Sequence, residues 1–245
     1  MYRNLISLLL LIFICCTNYS AFAKKKKILV FCKTSGFHHS SIKEGVIALQ
    51  KLAVAHKFIA DTTTDAQKFN PANLKQYVAV VFLNTTGDVL NPQQEKAFEA
   101  YIKSGGGFVG VHAATDTEFD WPWYGKLVGA YFVKHPAQQF ADLKVINAKT
   151  IATAHLPETW NRKDEWYNFK DISPDINILL NIDENSYKGG SNGANHPMAW
   201  YHDFEGGRAF YTGLGHTAES YTDPLFLQHL WAGMQYAMGI KKMLL

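Results

Sequence analysis

The chain has 245 residues, of which 47% are hydrophobic, and its formal net charge is +3. That length supports one hydrophobic core of ordinary size and argues against two full domains. A charge so close to neutrality does not indicate a nucleic-acid partner, because binding to the phosphate backbone requires a concentrated basic surface.

Residues 1–23 have the three regions of a secretory signal peptide: a basic start, an uncharged apolar run over residues 5–16, and an A-x-A cleavage site at residues 21–23. The apolar run is too short for a membrane span. We therefore expect export to the periplasm or the extracellular space, with cleavage after Ala23 and no membrane span in the mature chain. A lipoprotein signal is the weaker interpretation, because Ile14 stands directly before Cys15, where a small residue is expected. Removing the single arginine of the leader leaves 23 basic against 21 acidic residues, a net charge of +2.

The mature chain, residues 24–245, shows no internal repeat, low-complexity segment or linker, so we predict a single domain. Its one cysteine, Cys32, excludes an internal disulfide. This cysteine lies in the apolar run ILVFC, which predicts a buried strand rather than a reactive site.

Apolar runs and segments with helical spacing alternate over the first half of the mature chain. Ser41 and Glu44 have capping-box spacing ahead of the first helix, and Asn91 before Pro92 predicts a capped start for the second. This order of elements predicts right-handed crossovers and a parallel sheet. The strands are predicted at residues 28–32, 57–61, 78–83 and 108–111.

The pattern is less regular after Thr115. A short helix is predicted at residues 121–130, and Asp223 with Pro224 begins a last helix. A glycine-rich loop lies at residues 188–193. Further strands are predicted at residues 139–147, 176–182, 198–204 and 208–213.

Histidines follow several of the predicted strands. His38 and His39 follow the first strand, His112 follows the fourth, and His216 follows the strand at residues 208–213. Ligand crevices in open α/β sheets lie outside the carboxyl ends of the strands, where such residues meet. Imidazole exchanges protons near neutral pH, and a carboxylate beside it orients and charges the ring. The sequence therefore predicts a reactive cluster at this edge of the sheet.

The stretch SGGGFVGVHAATDTE, residues 104–118, favours His112 as the main catalytic residue. Its glycines end a helix, a short buried strand follows, and small residues around the histidine leave room for a sharp turn and a ligand. The alternative role for His112 is a structural cap of the strand. His216 and Glu165, the latter from the acidic pair Asp164-Glu165, complete the predicted catalytic set.

Aromatic residues make up 14% of the chain, and several tryptophans fall in its irregular parts. Rings at a polar rim can stack on the C–H faces of sugars, although most aromatic rings belong to protein cores. Trp121 and Trp123, in a polar loop after His112, are the favoured stacking residues. The expected substrate-binding residues are Phe37, His38, His39, Asn84, Asp116, Trp121, Trp123, His135, His196 and Trp200.

The sequence contains no H-E-x-x-H, C-x-x-C or G-x-x-x-x-G-K motif. The glycines of GGGFVG precede a strand, whereas a dinucleotide fingerprint needs them after one. We therefore predict no cofactor and assign no metal ligands.

Four ordered motifs resemble those of the ThuA-like family, which is named for trehalose utilisation. They are TSGFHH at residues 34–39, GGGFVGVH at 105–112, FVKHP at 132–136 and YTGLGH at 211–216. The resemblance covers residues 26–239. It implies the fold of class I glutamine amidotransferases, a flavodoxin-like three-layer α/β sandwich with a mostly parallel central sheet. Those enzymes carry a cysteine nucleophile where this chain has His112, so the glutaminase reaction through a thioester is excluded.

These observations predict an exported protein that processes a small carbohydrate by acid–base chemistry of His112 with His216 and Glu165. The expected reaction is hydrolysis, elimination or isomerisation of a glycoside, disaccharide or keto-sugar. Two alternatives are open: a non-catalytic sugar-binding protein with the same crevice, and a metal-dependent hydrolase in which His38, His112 and His216 hold a divalent ion. No pattern indicates an oligomeric state.

Overall fold

The computed structural model describes residues 25–245, so the predicted leader and its cleavage site lie outside the described residues. In this part of the chain the strands are β1 (Lys27–Phe31), β2 (Ile59–Thr63), β3 (Ala79–Leu83), β4 (Gly107–Val111), β5 (Tyr131–Lys134), β6 (Gln139–Val145), β7 (Thr159–Asp164), β8 (Asn168–Lys170), β9 (Asn177–Ile182), β10 (Pro197–Phe204) and β11 (Gly207–Thr212). The α-helices are α1 (Ile42–Ala55), α2 (Pro71–Leu74), α3 (Pro92–Lys103), α4 (Pro122–Val128) and α5 (Pro224–Ala237). Within residues 25–245, no helix is both long and apolar enough to cross a membrane.

Strands β2, β1, β3, β4 and β11 lie side by side in that order and are parallel. This is the flavodoxin-like order, which helical crossovers produce. The predicted α/β fold is confirmed, and the strands predicted at residues 28–32, 78–83 and 108–111 form its centre. Every residue of β3 and β4 is buried, which explains their continuous apolar runs.

Helices cover both faces of the parallel strands. On one face, Phe98 of α3 packs against Phe82 of β3, with ring centroids 5.5 Å apart. On the other face, α5 lies on β11 and β4. Helix α1 shares that second face, since His56 at its end stacks on Trp231 of α5 with centroids 3.9 Å apart. These contacts form the predicted three-layer sandwich.

The sheet continues beyond β11 with β10, β9, β6 and β7, each antiparallel to its neighbour. The central sheet is therefore mixed, with a parallel and an antiparallel half. The strands predicted at residues 139–147, 176–182 and 198–204 all lie in the antiparallel half. The sequence analysis missed β7 because two of its buried positions carry Arg162 and Asp164 instead of apolar side chains.

The antiparallel half curls back over the end of the parallel half. In a flat sheet β7 would lie roughly 19 Å from β11, since neighbouring strands are about 4.8 Å apart. Instead, Asp164 at the end of β7 accepts hydrogen bonds from the backbone N–H groups of Gly215 (3.1 Å) and His216 (3.2 Å), just after β11. The β10–β9 pairing is irregular between Pro197 and Trp200, and such irregularities bend a sheet.

The capping box predicted at Ser41 does not form. Ser41 has helical backbone angles, and its side chain does not bond to the first turn of α1. Its hydroxyl instead donates to the Gly215 carbonyl (3.2 Å) and accepts from Nδ2 of Asn84 (3.1 Å). A tertiary contact between loops has replaced the local one. The predicted caps at Asn91 and Asp223 are confirmed.

Gly107 begins β4 where the end of α5 approaches most closely. A Cβ at this position would collide with the carbonyl oxygen of Ala237. We expect Gly107→Ala to lower the free energy of unfolding by about 1–3 kcal/mol, because overpacking displaces backbone. Gly36→Ala is the control, since a Cβ there would lie 3.4 Å from Thr86, an ordinary contact distance. Urea denaturation of both variants checks the prediction, and equal midpoints would contradict it.

Candidate active site

His112 stands directly after β4, at the carboxyl edge of the parallel strands. Its backbone is left-handed, with φ at +48°, a conformation that is uncommon for residues other than glycine and that turns the chain sharply. The side chain is fully buried. Nδ1 donates to the carbonyl oxygen of Gly213, 2.9 Å away, so Nε2 is the nitrogen left for other contacts.

Three side-chain atoms meet at the centre of the site. Nε2 of His112 lies 3.2 Å from Nδ1 of His216. Oε2 of Glu165 lies 3.3 Å from the first of these nitrogens and 3.0 Å from the second. The structure thus brings together the three residues that the sequence analysis selected, from three distant segments of the chain.

Glu165 is a buried carboxylate that remains charged. Burial alone would raise its pKa, but hydrogen bonds from His112 and His216 outweigh that effect and hold the pKa of Glu165 well below its usual range. Its second oxygen, Oε1, lies 3.1 Å from Nδ1 of His135. One anion therefore faces three imidazoles, which it can orient and stabilise in their charged form.

His39 completes the cluster, in place of its neighbour His38. The buried His39 ring lies edge-on to His112 and His216, with centroids 4.9 Å and 5.1 Å away. Burial and these two imidazoles lower the pKa of His39 to about 3, so its ring is neutral. His38 is exposed and contacts the Thr34 hydroxyl at 3.3 Å. The expected set of His38, His112 and His216 is corrected accordingly, because the chain turns residue 39 inward and residue 38 outward.

Asp164 fixes the loop that carries His216. Its carboxylate is completely buried and accepts the N–H groups of Gly215 and His216. It also pairs with Arg162, whose Nη2 lies 3.2 Å away. Asp164 therefore positions the backbone of this loop, while Glu165, the next residue, contacts the imidazoles themselves.

A cavity of about 250 Å³ adjoins the cluster. Small-molecule sites usually measure about 300–1,000 Å³, so this one suits a small ligand such as a single sugar ring. Phe37 remains 65% exposed and leaves an aromatic face available to that ligand. The cavity is lined by Phe37, His39, Asp116, Phe132, His135, Glu165 and Tyr167.

Asp116 supplies a second carboxyl group to the same cavity. Burial raises the pKa of Asp116 to about 6, although the nearby His135 opposes that effect. The pKa of Glu165 is lowered whereas that of Asp116 is raised. Two carboxyl groups with separated pKa values suit opposite roles in acid–base chemistry, one accepting a proton and the other donating it.

Comparison with known proteins agrees with the four sequence motifs. Residues 27–237 match the family model of ThuA, which is described as trehalose utilisation. The chain belongs to the ThuA family. The family is carbohydrate-related by that description, while a search of curated proteins found no match for the chain.

Solved structures include ThuA-like proteins of the same fold. One from Bacteroides uniformis is 26% identical, with 91% of this chain and 96% of that protein covered and a TM-score of 0.77. One from Parabacteroides merdae is 23% identical, with 89% and 91% covered and a TM-score of 0.74. A β-galactosidase from Bacillus circulans sp. alkalophilus is 14% identical over 87% of this chain and 31% of its own, with a TM-score of 0.58. That last likeness is one of fold alone.

Trp121 and Trp123, the favoured stacking residues, lie away from the cavity in this ThuA-family structure. Both belong to the start of α4 rather than to a polar loop, and their rings stack on each other with centroids 5.1 Å apart. Their indole N–H groups donate to Glu99 (3.3 Å) and Glu205 (2.8 Å). The helix turns these rings toward α3, so they support the fold instead of lining the cavity.

Three further residues from the expected binding set also lie outside the cavity. Trp200 is fully buried and donates to a backbone carbonyl of α4 at 2.8 Å. His196 is held between Glu184 and a backbone carbonyl after β7, at 2.8 Å from each. Asn84 is buried against Ser41. The side-chain nitrogen atoms of these three residues are engaged in fixing loops of the structure.

Sequence reasoning missed two residues that contact the cluster. The ring of Tyr167 lies 4.3 Å from that of His112, and the side-chain amide of Gln138 lies 2.7 Å from Nε2 of His216. Tyr167 follows Glu165 by two positions, so it could have been found from the acidic pair. No local pattern marked Gln138, because its segment is placed by the curl of the sheet.

The buried ion pair of Asp164 should dominate the stability of the site. We expect Asp164→Asn to cost about 3–5 kcal/mol of unfolding free energy, because it removes the completely buried charged partner of Arg162 and leaves that guanidinium only its contact with the partly exposed Asp223. Lys103→Gln is the control. It breaks an exposed pair with Glu99, which should be worth at most about 1 kcal/mol. Chemical denaturation measures both changes, and similar losses for the two variants would contradict the anchoring role of Asp164.

Proposed function

We propose that the protein is an enzyme that transforms a carbohydrate by proton transfer at the cluster of His39, His112, Glu165 and His216. The reaction class is hydrolysis, elimination or isomerisation of a glycoside, disaccharide or keto-sugar. One observation carries the proposal: the carboxylate of Glu165 lines the cavity and lies within 3.3 Å of a nitrogen of both His112 and His216. The carbohydrate is supported by the family description of trehalose utilisation.

The contacts support a proton path from the cavity to the imidazole pair. A proton removed from a ligand or a water molecule passes through Glu165 to His112 or His216, and the same carboxylate stabilises the imidazolium that forms. Asp116 donates a proton to the group that leaves. In hydrolysis, water forms the new bond to the anomeric carbon as the glycosidic bond breaks. His112 does not line the cavity, so it acts through Glu165 and His216 as a positioning residue.

His112→Asn tests this role. Asparagine tolerates the left-handed backbone, and its Nδ2 can replace the bond from Nδ1 to the Gly213 carbonyl, but nothing replaces Nε2. We expect kcat to fall roughly 10²–10⁴-fold while KM changes little, because the ring does not touch the ligand. The melting temperature should stay close to that of the wild type.

His56→Asn is the matched control for that variant. His56 is exposed at the end of α1 and stacks only on Trp231, so both kcat and the melting temperature should be retained. A His112→Asn enzyme with the kcat of the wild type would overturn the proposed role. A large drop in melting temperature with an unchanged rate per folded molecule would assign His112 to structure alone.

A thermal-shift screen identifies the sugar for these assays. Trehalose, sucrose, maltose, lactose, their single-ring components and available keto-sugars are tested for stabilisation, and each hit is then assayed for turnover by chromatography. We expect at least one hit to be consumed. Stabilisation by a sugar that is never turned over would support a sugar-binding protein instead.

We also propose that the chain is exported and cleaved after Ala23. The proposal is supported by the basic start, apolar run and A-x-A site of residues 1–23. N-terminal sequencing of the protein from a cell fraction outside the cytoplasm should begin at Lys24. A retained leader, or a lipid on Cys15 or Cys16, would contradict it.

A further inference from the structure

One polar atom from each residue of the cluster points toward a common centre. His39, His112, Glu165 and His216 each offer one nitrogen or oxygen atom, and these four atoms all lie within 4.8 Å of one another. With Nδ1 of His112 donating to Gly213, loss of the proton that Nε2 shares with Glu165 leaves a lone pair on Nε2 that points at this common centre. Several lone pairs converging on one point are the arrangement that a cation binds.

The spacing of three of these atoms matches a metal coordination shell. The distances among Nε2 of His112, Nδ1 of His216 and Oε2 of Glu165 are 3.2, 3.0 and 3.3 Å. Bonds of about 2.0–2.2 Å to a tetrahedral zinc ion place neighbouring ligand atoms roughly 3.3–3.6 Å apart, and octahedral bonds of about 2.1 Å place them roughly 3.0 Å apart. The observed triangle therefore needs almost no rearrangement to hold an ion.

Three of the four groups already have the supporting hydrogen bonds that metal ligands need. Nδ1 of His112 donates to the Gly213 carbonyl. Nε2 of His216 contacts the Gln138 amide, which can accept from that nitrogen when its oxygen faces the ring. Oε1 of Glu165 contacts His135. Such partners fix the tautomer and orientation of metal-binding residues.

His39 supplies the independent observation. It is only 3% exposed, and its buried Nδ1 has no hydrogen-bond partner within residues 25–245. Leaving a buried polar atom unpaired costs about 1–3 kcal/mol. The other two imidazoles of the cluster have partners for both nitrogens. An ion at the centre of the cluster would give the imidazole of His39 a binding partner.

We propose that His39, His112, Glu165 and His216 hold a divalent first-row transition-metal ion, with zinc or manganese as the fitting choice. Three imidazoles and one carboxylate suit these ions, whereas magnesium and calcium prefer sets made of oxygen atoms. The inference rests on the proposed function, since it takes the same cluster as the reactive centre. In this inference the ion, instead of the imidazole pair, would activate water or a sugar oxygen. The ion would lie beside the cavity that Glu165 and His39 line.

The test begins with metal analysis of the purified protein and calorimetric titration after chelator treatment. ZnCl₂ and MnCl₂ are the probes, and MgCl₂ is the control salt. We expect one equivalent of zinc or manganese to bind and to raise the melting temperature, because the ion binds only the folded state. Magnesium should not bind measurably.

Single substitutions then check the ligand set. Losing the supporting partner of a metal ligand weakens metal binding roughly 10–100-fold, and His135→Gln should have an effect in that range. His39→Gln and His216→Gln each remove a proposed ligand, so they should weaken metal binding by more than that. His38→Gln, next to the proposed ligand but exposed, should keep the affinity of the wild type. The metal-free melting temperature of each variant shows that it is folded, and the visible spectrum of bound cobalt gives a second measure of the site.

The outcomes separate this inference from the proposed function. Absence of zinc and manganese binding, or equal affinity in His39→Gln and His38→Gln, overturns the metal site. Full turnover of a sugar by the chelated enzyme also overturns it and leaves proton transfer by the imidazoles as the mechanism. One equivalent of metal lost in His39→Gln supports the site even when no sugar is consumed, and in that case only the proposed enzymatic function fails.

Discussion

The hydrogen bonds of the buried Asp164 carboxylate are the contacts on which the site depends. They tie the end of β7 to the loop after β11, although the two strands are four positions apart in the sheet. Because the carboxylate is buried and paired with Arg162, losing any one partner would leave a charge or a backbone N–H without compensation. The curled sheet is held in place by this requirement, and Glu165 reaches the imidazoles only because the sheet curls.

Backbone conformation adds a second constraint at the same edge. The residues directly after β3 and β4, Asn84 and His112, both have left-handed φ angles, +51° and +48°. Each such residue costs free energy that the surrounding structure must offset. Hydrogen bonds from Asn84 to Ser41 and from His112 to Gly213 provide part of that compensation. The turns therefore direct polar groups at one another with little freedom to reorient, as expected of a preorganised reactive centre.

The sequence was most informative where local pattern and tertiary structure agree. The apolar runs of β1, β3 and β4 predicted the parallel half, and strand-end positions led to His112 and His216. Glu165 was chosen as part of an acidic pair, but β7 before it was missed because its inward Arg162 and Asp164 interrupt the apolar alternation. Neither the curl of the sheet nor the choice of His39 over His38 follows from periodicity, because both depend on contacts between distant segments. Trp121 and Trp123 do not line the cavity as expected, because α4 turns their rings toward α3.

The cluster gathers side chains from four places along the chain: the segment after β1, the turn after β4, the end of β7 and the loop after β11. Contacts between residues so far apart in sequence form late when a protein folds, because closing long loops must precede them. A partly folded chain with its parallel strands in place would lack Glu165 at the centre and would hold no assembled site. On refolding, recovery of the cluster should thus follow the recovery of helical structure, because the antiparallel half must dock before Glu165 reaches the imidazoles.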